Sequence, residues 1–376
     1  MKSRLAPVQT VSPEQQVPSS GLFAITPVNE LIQGFPSTRY YGSKRKLLPW
    51  LFDCLKAVPF NTALDAFGGT GSVSQLFRSM RKSVSYHDAF EFNGHVANAT
   101  LASGWTIDQN TLSEFLNSVV LEEGTVAAHF KGIFYLDDEN QWLDGFQTAL
   151  ARSSLSPLDK SVLQHLLFQA CLKKRPFNLF HRANLAIRTK GGVQRTFGNA
   201  VTWERTFPQL IEQGFNELHT LHAHRLPNTT VLPAGDVADV TSGYDLVYLD
   251  PPYVSGREQY DRDDYWRRYH FLEGLATYDT WGSRIDQGSP IRLMTPPSYF
   301  STWSRRATSR ELLFGLVERH RDSVVALSYL KNAYPEDVDI LNHFESIFSR
   351  VTVHSTEHSH ALSGRRRREL LFIGFP

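Results

Sequence analysis

At 376 residues, with 39 Lys and Arg against 38 Asp and Glu, the chain has room for two compact units and a net charge of only +1. A nucleic-acid partner must therefore be met by a local basic patch, because the chain as a whole attracts no polyanion. Cys54 and Cys171 are the only cysteines, which excludes a disulfide framework and a four-thiolate zinc site and predicts a reducing compartment.

Residues 1–35, with Pro7, Pro13, Pro18 and Pro27, read as a loose N-terminal tail. They contain no apolar signal core, and no run of about 18 apolar residues follows, so the protein is expected to be soluble and cytoplasmic with no membrane partner. Residues 36–100 predict the first part of a doubly wound α/β sheet. Within them, Thr62–Phe67 is a buried-strand pattern that runs into Gly68-Gly69-Thr70-Gly71 and a helix start at Ser72. Such a turn lets a ligand approach the backbone, and the helix start offers free N–H groups. A second strand over Ser83–His87 ends at Asp88, where these folds hold a ribose hydroxyl. Together these features predict a nucleoside-bearing cofactor. It is not a simple dinucleotide or phosphate-loop site, since Ser74 stands at the third glycine position and Gly-Lys-Ser/Thr is absent.

Residues 101–225 change character and read as an inserted, largely helical domain, with helices around Leu112–Leu121 and Leu158–Leu172. Lys173, Lys174, Arg175, Arg182, Arg188, Lys190 and Arg195 fall in a stretch with no acid before Glu204. Phe177, Phe180, His181, Phe197 and Trp203 are interleaved with them, a mixture suited to phosphate contact and base wedging. Gly191-Gly192 marks a hairpin tip that could enter a groove.

Residues 226–376 return to strands: Thr229–Pro233 followed by Gly235-Asp236, then Tyr244–Leu249, Ser323–Ser328, Arg350–His354 and Leu370–Phe375. The run Tyr244–Leu249 ends in Asp250-Pro251-Pro252-Tyr253, where two prolines force the chain out of the sheet at the strand's carboxyl end. A carboxylate and an aromatic ring at that place suit chemistry on a planar amino group. His354, Glu357, His358 and His360 read as a polar turn and predict no metal site, and Arg365–Arg368 read as a hairpin rim.

A strand ending in Phe67-Gly68-Gly69-Thr70-Gly71, with Asp250-Pro251-Pro252-Tyr253 later, resembles the S-adenosylmethionine-dependent amino-methyltransferases of DNA. Arg39-Tyr40-Tyr41-Gly42-Ser43-Lys44 is similar to that family's Tyr-x-Gly-x-Lys element, Lys173–Arg182 to its Arg-x-x-Phe-Asn-x-Leu-x-Arg stretch, and Tyr269–Leu275 resembles the segment after its catalytic turn. The motif order is that of the alpha group, which holds the Dam-type adenine methylases. The resemblance implies a mostly parallel methyltransferase sheet with an inserted target-recognition domain, sequence-specific duplex DNA as partner and S-adenosylmethionine as cofactor. It further implies cofactor contacts from Tyr40 or Tyr41, Lys44, Phe67, Gly68, Gly69, Gly71, Asp88 (ribose), Asp236 (adenine edge) and Asp250. The insertion, with Lys173, Lys174, Arg175, Phe177, Asn178, His181, Arg182, Arg188, Lys190 and Arg195, would meet DNA.

Catalysis would fall to Asp250, Pro251, Pro252 and Tyr253. The adenine amino lone pair is delocalised into the ring, so two acceptors, the Asp250 carboxylate and the Pro251 carbonyl, would favour a pyramidal nitrogen for direct in-line transfer, with Tyr253 stacked on a flipped base. Neither cysteine follows a proline, which argues against the Pro-Cys nucleophile of cytosine ring-carbon enzymes. A cytosine amino-methyltransferase, an RNA methyltransferase and a catalytically silent DNA-binding module are the alternatives. A restriction endonuclease acting separately would be a natural companion, and the sequence is compatible with a monomer.

Overall fold

The computed structural model describes residues 43–176, 179–191, 200–221, 226–254, 265–359 and 366–376. The N-terminal tail, Tyr40, Tyr41, Phe177, Asn178 and Arg195 lie outside the described residues.

Seven strands form one sheet: β1 (Thr62–Asp65), β2 (Ser83–Tyr86), β3 (Thr229–Val231), β4 (Leu246–Leu249), β5 (Val324–Leu330), β6 (Arg350–Ser359) and β7 (Arg366–Phe375), in the order β3-β2-β1-β4-β5-β7-β6. The first five are parallel, and β7 pairs antiparallel with both β5 and β6. The order reverses between β1 and β4, so their carboxyl ends open a crevice at a topological switch point.

Helices cover both faces, which is why the central strands are apolar throughout instead of alternating. On one face α1 (Leu48–Leu55) and α2 (Ser72–Ser79) bring Leu51, Leu55, Leu76 and Phe77 onto Ala63, Val84, Leu246 and Ala326. A third layer of helices follows β2 and precedes β3: α3 (Glu91–Thr100), α4 (Gln109–Ser118), α5 (Asp137–Arg152), α6 (Pro157–Lys174) and α7 (Phe207–Leu221). It is continued by α8 (Tyr265–Ala276) after β4. These helices share one large core that includes Phe134, Phe146, Leu163, Phe168, Ile211 and Phe271. Beyond α9 (Ser298–Trp303), α10 (Arg306–Arg319) and α11 (Asp337–Ile347) cover the other face, with Leu313, Leu316, Ile340 and Phe344 against Val247, Leu249, Val325 and Phe372.

Three local readings change. The helix expected over Leu112–Leu121 ends at Ser118, so Val120 and Leu121 are exposed. The two helices expected in residues 101–225 are joined by α5 and α7, which share their apolar core. The hairpin strands are longer than the apolar runs suggest. Their pairing continues to Ser359↔Arg366, so His354, Glu357 and His358 lie on β6 and not in a turn. There Glu357 sits opposite Arg368 and pairs with it at 2.7 Å. Cross-strand attraction supports strand pairing that hydropathy alone would end.

Candidate active site

The turn after β1 is built by glycine where no other residue fits. A Cβ on Gly68 would fall inside the Tyr86 ring, and Gly69 and Gly71 hold φ of 51° and 73°. Tyr86 fixes the turn by donating to Gly69 O at 2.6 Å. Gly71 leaves α2 with no side-chain cap, and the buried Asp65 at the end of β1 replaces it by accepting from Ser74 N at 3.0 Å and Ser74 Oγ at 2.7 Å. Burial pushes the Asp65 carboxyl up to about 7, against the pull of those Ser74 bonds.

The Ser43-Lys44 turn docks on the same loop: Ser43 Oγ lies 3.3 Å from Thr70 Oγ1 and 3.2 Å from Ser72 Oγ. This carries Lys44 under the end of β4. Its ammonium stands 3.0 Å from Asp250 Oδ1, 2.7 Å from the Tyr253 hydroxyl and 2.5 Å from Glu369 Oε1. The Tyr253 hydroxyl is 2.8 Å from both Asp250 Oδ1 and Glu369 Oε1. Lys44, from before the sheet, thus meets the prolyl turn and the last strand at one point. Burial alone would lower the Lys44 pKa, but the Asp250 and Glu369 carboxylates override it and raise it. Burial raises the Asp250 carboxyl, with Lys44 opposing and the Glu369 charge adding to the rise. The Lys44 and Glu369 side chains are 8 % and 3 % exposed and that of Asp250 is 17 %, so Asp250 is the most accessible of the three charged groups.

The remaining cofactor candidates ring the same crevice. Asp88 accepts from Gly69 N at 2.8 Å, Phe90 N at 2.9 Å and Asn93 Nδ2 at 3.0 Å, so about three of a carboxylate's roughly four acceptor positions lock the glycine turn and the start of α3. Asp236 caps the short turn Val237–Asp239 and accepts from Trp303 Nε1 at 3.2 Å. Trp303 packs edge-on against Phe67, with ring centroids 5.3 Å apart. A polar edge flanked by two rings is thereby formed beside the glycine turn.

A model of the D12 class N6 adenine-specific DNA methyltransferases matches residues 40–280, well over half of the chain. The chain belongs to this family. It is an enzyme that methylates the exocyclic amino group of adenine in DNA, and it needs a methyl donor. The cytosine, RNA and silent-module alternatives find no support in that match. No match is found among curated proteins. The matched span of this D12-class chain takes in Lys44, the glycine turn, Asp88, Asp236 and Asp250 to Tyr253, and stops short of Glu369. Among the described residues no helix is long and apolar enough to cross a membrane.

The basic stretch divides in two. Lys174 and Arg188 both grip Glu139, at 2.7 and 2.8 Å, and all three side chains are enclosed. Arg175 is fully buried, donates to Leu179 O and Arg182 O, and lies over the Phe134 and Phe180 rings. We therefore assign Lys174, Arg175 and Arg188 to holding the helical layer together rather than to DNA. Phe180 and Trp203 are likewise buried, which removes them as wedges. Arg182 and Lys190 are exposed, while Lys173 and His181 are half-buried. Burial, together with the nearby Arg268 and Arg182, lowers His181 to about 4.

Sequence reasoning missed Glu369, Asp65 and Trp303. Asp65 had a signal, a lone acid inside the buried-strand pattern Ala63-Leu64-Asp65-Ala66, and such a charge needs a partner. Glu369, by contrast, follows directly on Arg365–Arg368 and reads as part of that charged rim. Trp303 had no signal.

Proposed function

We propose that this DNA adenine methyltransferase uses S-adenosylmethionine and acts on a flipped adenine in duplex DNA at a specific sequence. The observation that carries the reading is the Lys44, Asp250 and Tyr253 cluster at the carboxyl end of β4, beside the glycine turn. The residues of the crevice fit the proposed donor. Beside the glycine turn, Asp88 keeps acceptor capacity for a ribose hydroxyl, and Asp236 with Phe67 and Trp303 suits an adenine edge. When bound, such a sulfonium compound supplies an electrophilic methyl group.

The chain's own part is to make the target nitrogen nucleophilic. Asp250 and the Pro251 carbonyl accept the two amino N–H bonds, which turns the lone pair out of conjugation. Losing one such preorganised acceptor removes about 3 kcal/mol of transition-state stabilisation. Tyr253 offers a ring for the extruded base, worth roughly 1–3 kcal/mol, which offsets much of the unstacking. Residues 101–225 serve target recognition as an insertion between residues 36–100 and 226–376, with Arg182 and Lys190 toward phosphate and Lys173 and His181 at the margin.

The test uses the full chain with tritiated S-adenosylmethionine and unmodified plasmid DNA, followed by modification-sensitive sequencing. Label in adenine at one short motif is expected. Asp250→Ala should bind the donor nearly as the parent does while losing at least 100-fold in kcat. Turnover equal to the parent's would remove Asp250 from the mechanism.

A further inference from the structure

Glu369 stands outside the region that identifies the family, yet it is the residue on which the cluster converges. It lies on β7 opposite Leu330, the last residue of β5, so its side chain reaches the carboxyl end of the parallel strands from the antiparallel side of the sheet. Its Oε1 receives three donors: Lys44 Nζ at 2.5 Å, the Tyr253 hydroxyl at 2.8 Å and Ser328 Oγ at 2.8 Å. The first two of these are also the partners of Asp250 Oδ1.

That duplication bears on turnover. Lys44 and the Tyr253 hydroxyl both hold Asp250 at Oδ1, which leaves Oδ2 to accept a target amino group. Because Glu369 Oε1 binds the same ammonium and hydroxyl, it fixes where both stand and so the orientation in which they hold the Asp250 carboxylate. The hydroxyl carries one proton and stands equidistant from the two carboxylates, so it can pass from one acceptor to the other by a rotation about its C–O bond. One ammonium also faces two carboxylates, leaving an excess of negative charge that makes Asp250 a stronger acceptor.

We propose that Glu369 is a positioning residue for methyl transfer, holding Lys44 and the Tyr253 hydroxyl so that the Asp250 carboxylate keeps one orientation toward the adenine amine, while its charge keeps Asp250 a strong acceptor. This rests on the role proposed above for Asp250. The ionisable and hydroxyl groups facing Asp250 are Lys44 before α1, Asp65 at the end of β1, Tyr248 on β4, Tyr253 in the turn and Glu369 itself, while Ser328 on β5 faces Glu369.

The experiment measures steady-state methyl transfer to unmodified plasmid DNA between pH 5.5 and 9 for the parent, Glu369→Gln, Glu369→Asp and Asp250→Asn. Glutamine keeps the shape and an acceptor oxygen but not the charge. Glu369→Gln should lower kcat by about 10- to 100-fold with the donor KM within about threefold of the parent. Its acid limb in kcat should move to lower pH, because the like charge that raises Asp250 is gone. Glu369→Asp, with the charge kept and the reach shortened, should leave the acid limb in place and lower kcat. Parental kcat with an unmoved acid limb in Glu369→Gln overturns the proposal. If that variant does not fold, parental kcat in Glu369→Asp overturns it. Asp250→Asn separates the two readings: parental turnover there refutes the role of Asp250, whereas an inactive Asp250→Asn beside a parental Glu369→Gln refutes only that of Glu369.

Discussion

Replacing Lys44 by Met keeps much of the side chain's volume and removes its charge, leaving Asp250 and Glu369 facing each other without a cation. At an effective dielectric of about 20, charges 2.5 to 3.0 Å apart attract by roughly 5–7 kcal/mol per pair. Desolvation of three nearly enclosed groups offsets most of this in the parent, so the net worth of the cluster is small. The loss on removing one partner is not, because the remaining charges stay buried: about 3–5 kcal/mol. The variant should also acquire a pH dependence. Burial and the Glu369 charge already raise the Asp250 carboxyl and Lys44 opposes them, so without the ammonium its neutral form favours folding at acid pH, and that contribution fades as pH climbs through the raised folded value. Urea unfolding followed by tryptophan fluorescence should show the full deficit at pH 8 and a smaller one at pH 5.5. Adding Glu369→Gln to the variant should recover part of the loss, since one buried charge is easier to accommodate than two. A deficit below 1 kcal/mol, unchanged between the two pH values, would refute the view that Lys44 neutralises this cluster.

Glu273 gives a second pH test. It is buried, with a carboxyl that burial pushes up to about 8 even though Glu91 N and Phe92 N donate to it. The folded chain therefore holds a proton that the unfolded chain releases near pH 4.5, and stability should fall as pH rises from there through about 8, by up to roughly 4–5 kcal/mol. Asp65 acts in the same direction up to about 7. In Glu273→Gln the slope of the melting temperature against pH should flatten, and an identical slope would contradict the assignment. On the basic stretch, Arg182→Ala and Lys190→Ala should each reduce the slope of log binding constant against log salt by about 1. Lys174→Ala should leave that slope alone and destabilise the helical layer, because it strips a cation from the enclosed Glu139. Equal salt effects from all three would return Lys174 to the DNA surface.

By itself the sequence determined what short-range chemistry can determine. Thr62–Phe67 running into three glycines, and Tyr244–Leu249 stopped by two prolines, are local patterns whose backbone consequences follow from the presence or absence of a Cβ and an N–H. With the strand Ser83–His87 they placed three strand ends and the acids Asp88 and Asp250 without any knowledge of what neighbours them. Tertiary structure decided everything that depends on which side chains share a volume. The seven residues of the basic run look alike in sequence, yet Glu139, thirty-five positions before Lys174, takes two of them into the interior, and Phe134 with Phe180 takes a third. The antiparallel return of β7 brings Glu369 to Lys44 across 325 positions, a contact set by sheet order alone. Hydropathy reports how a residue meets water, while the sign and number of its charged neighbours arise only once the strands are ordered.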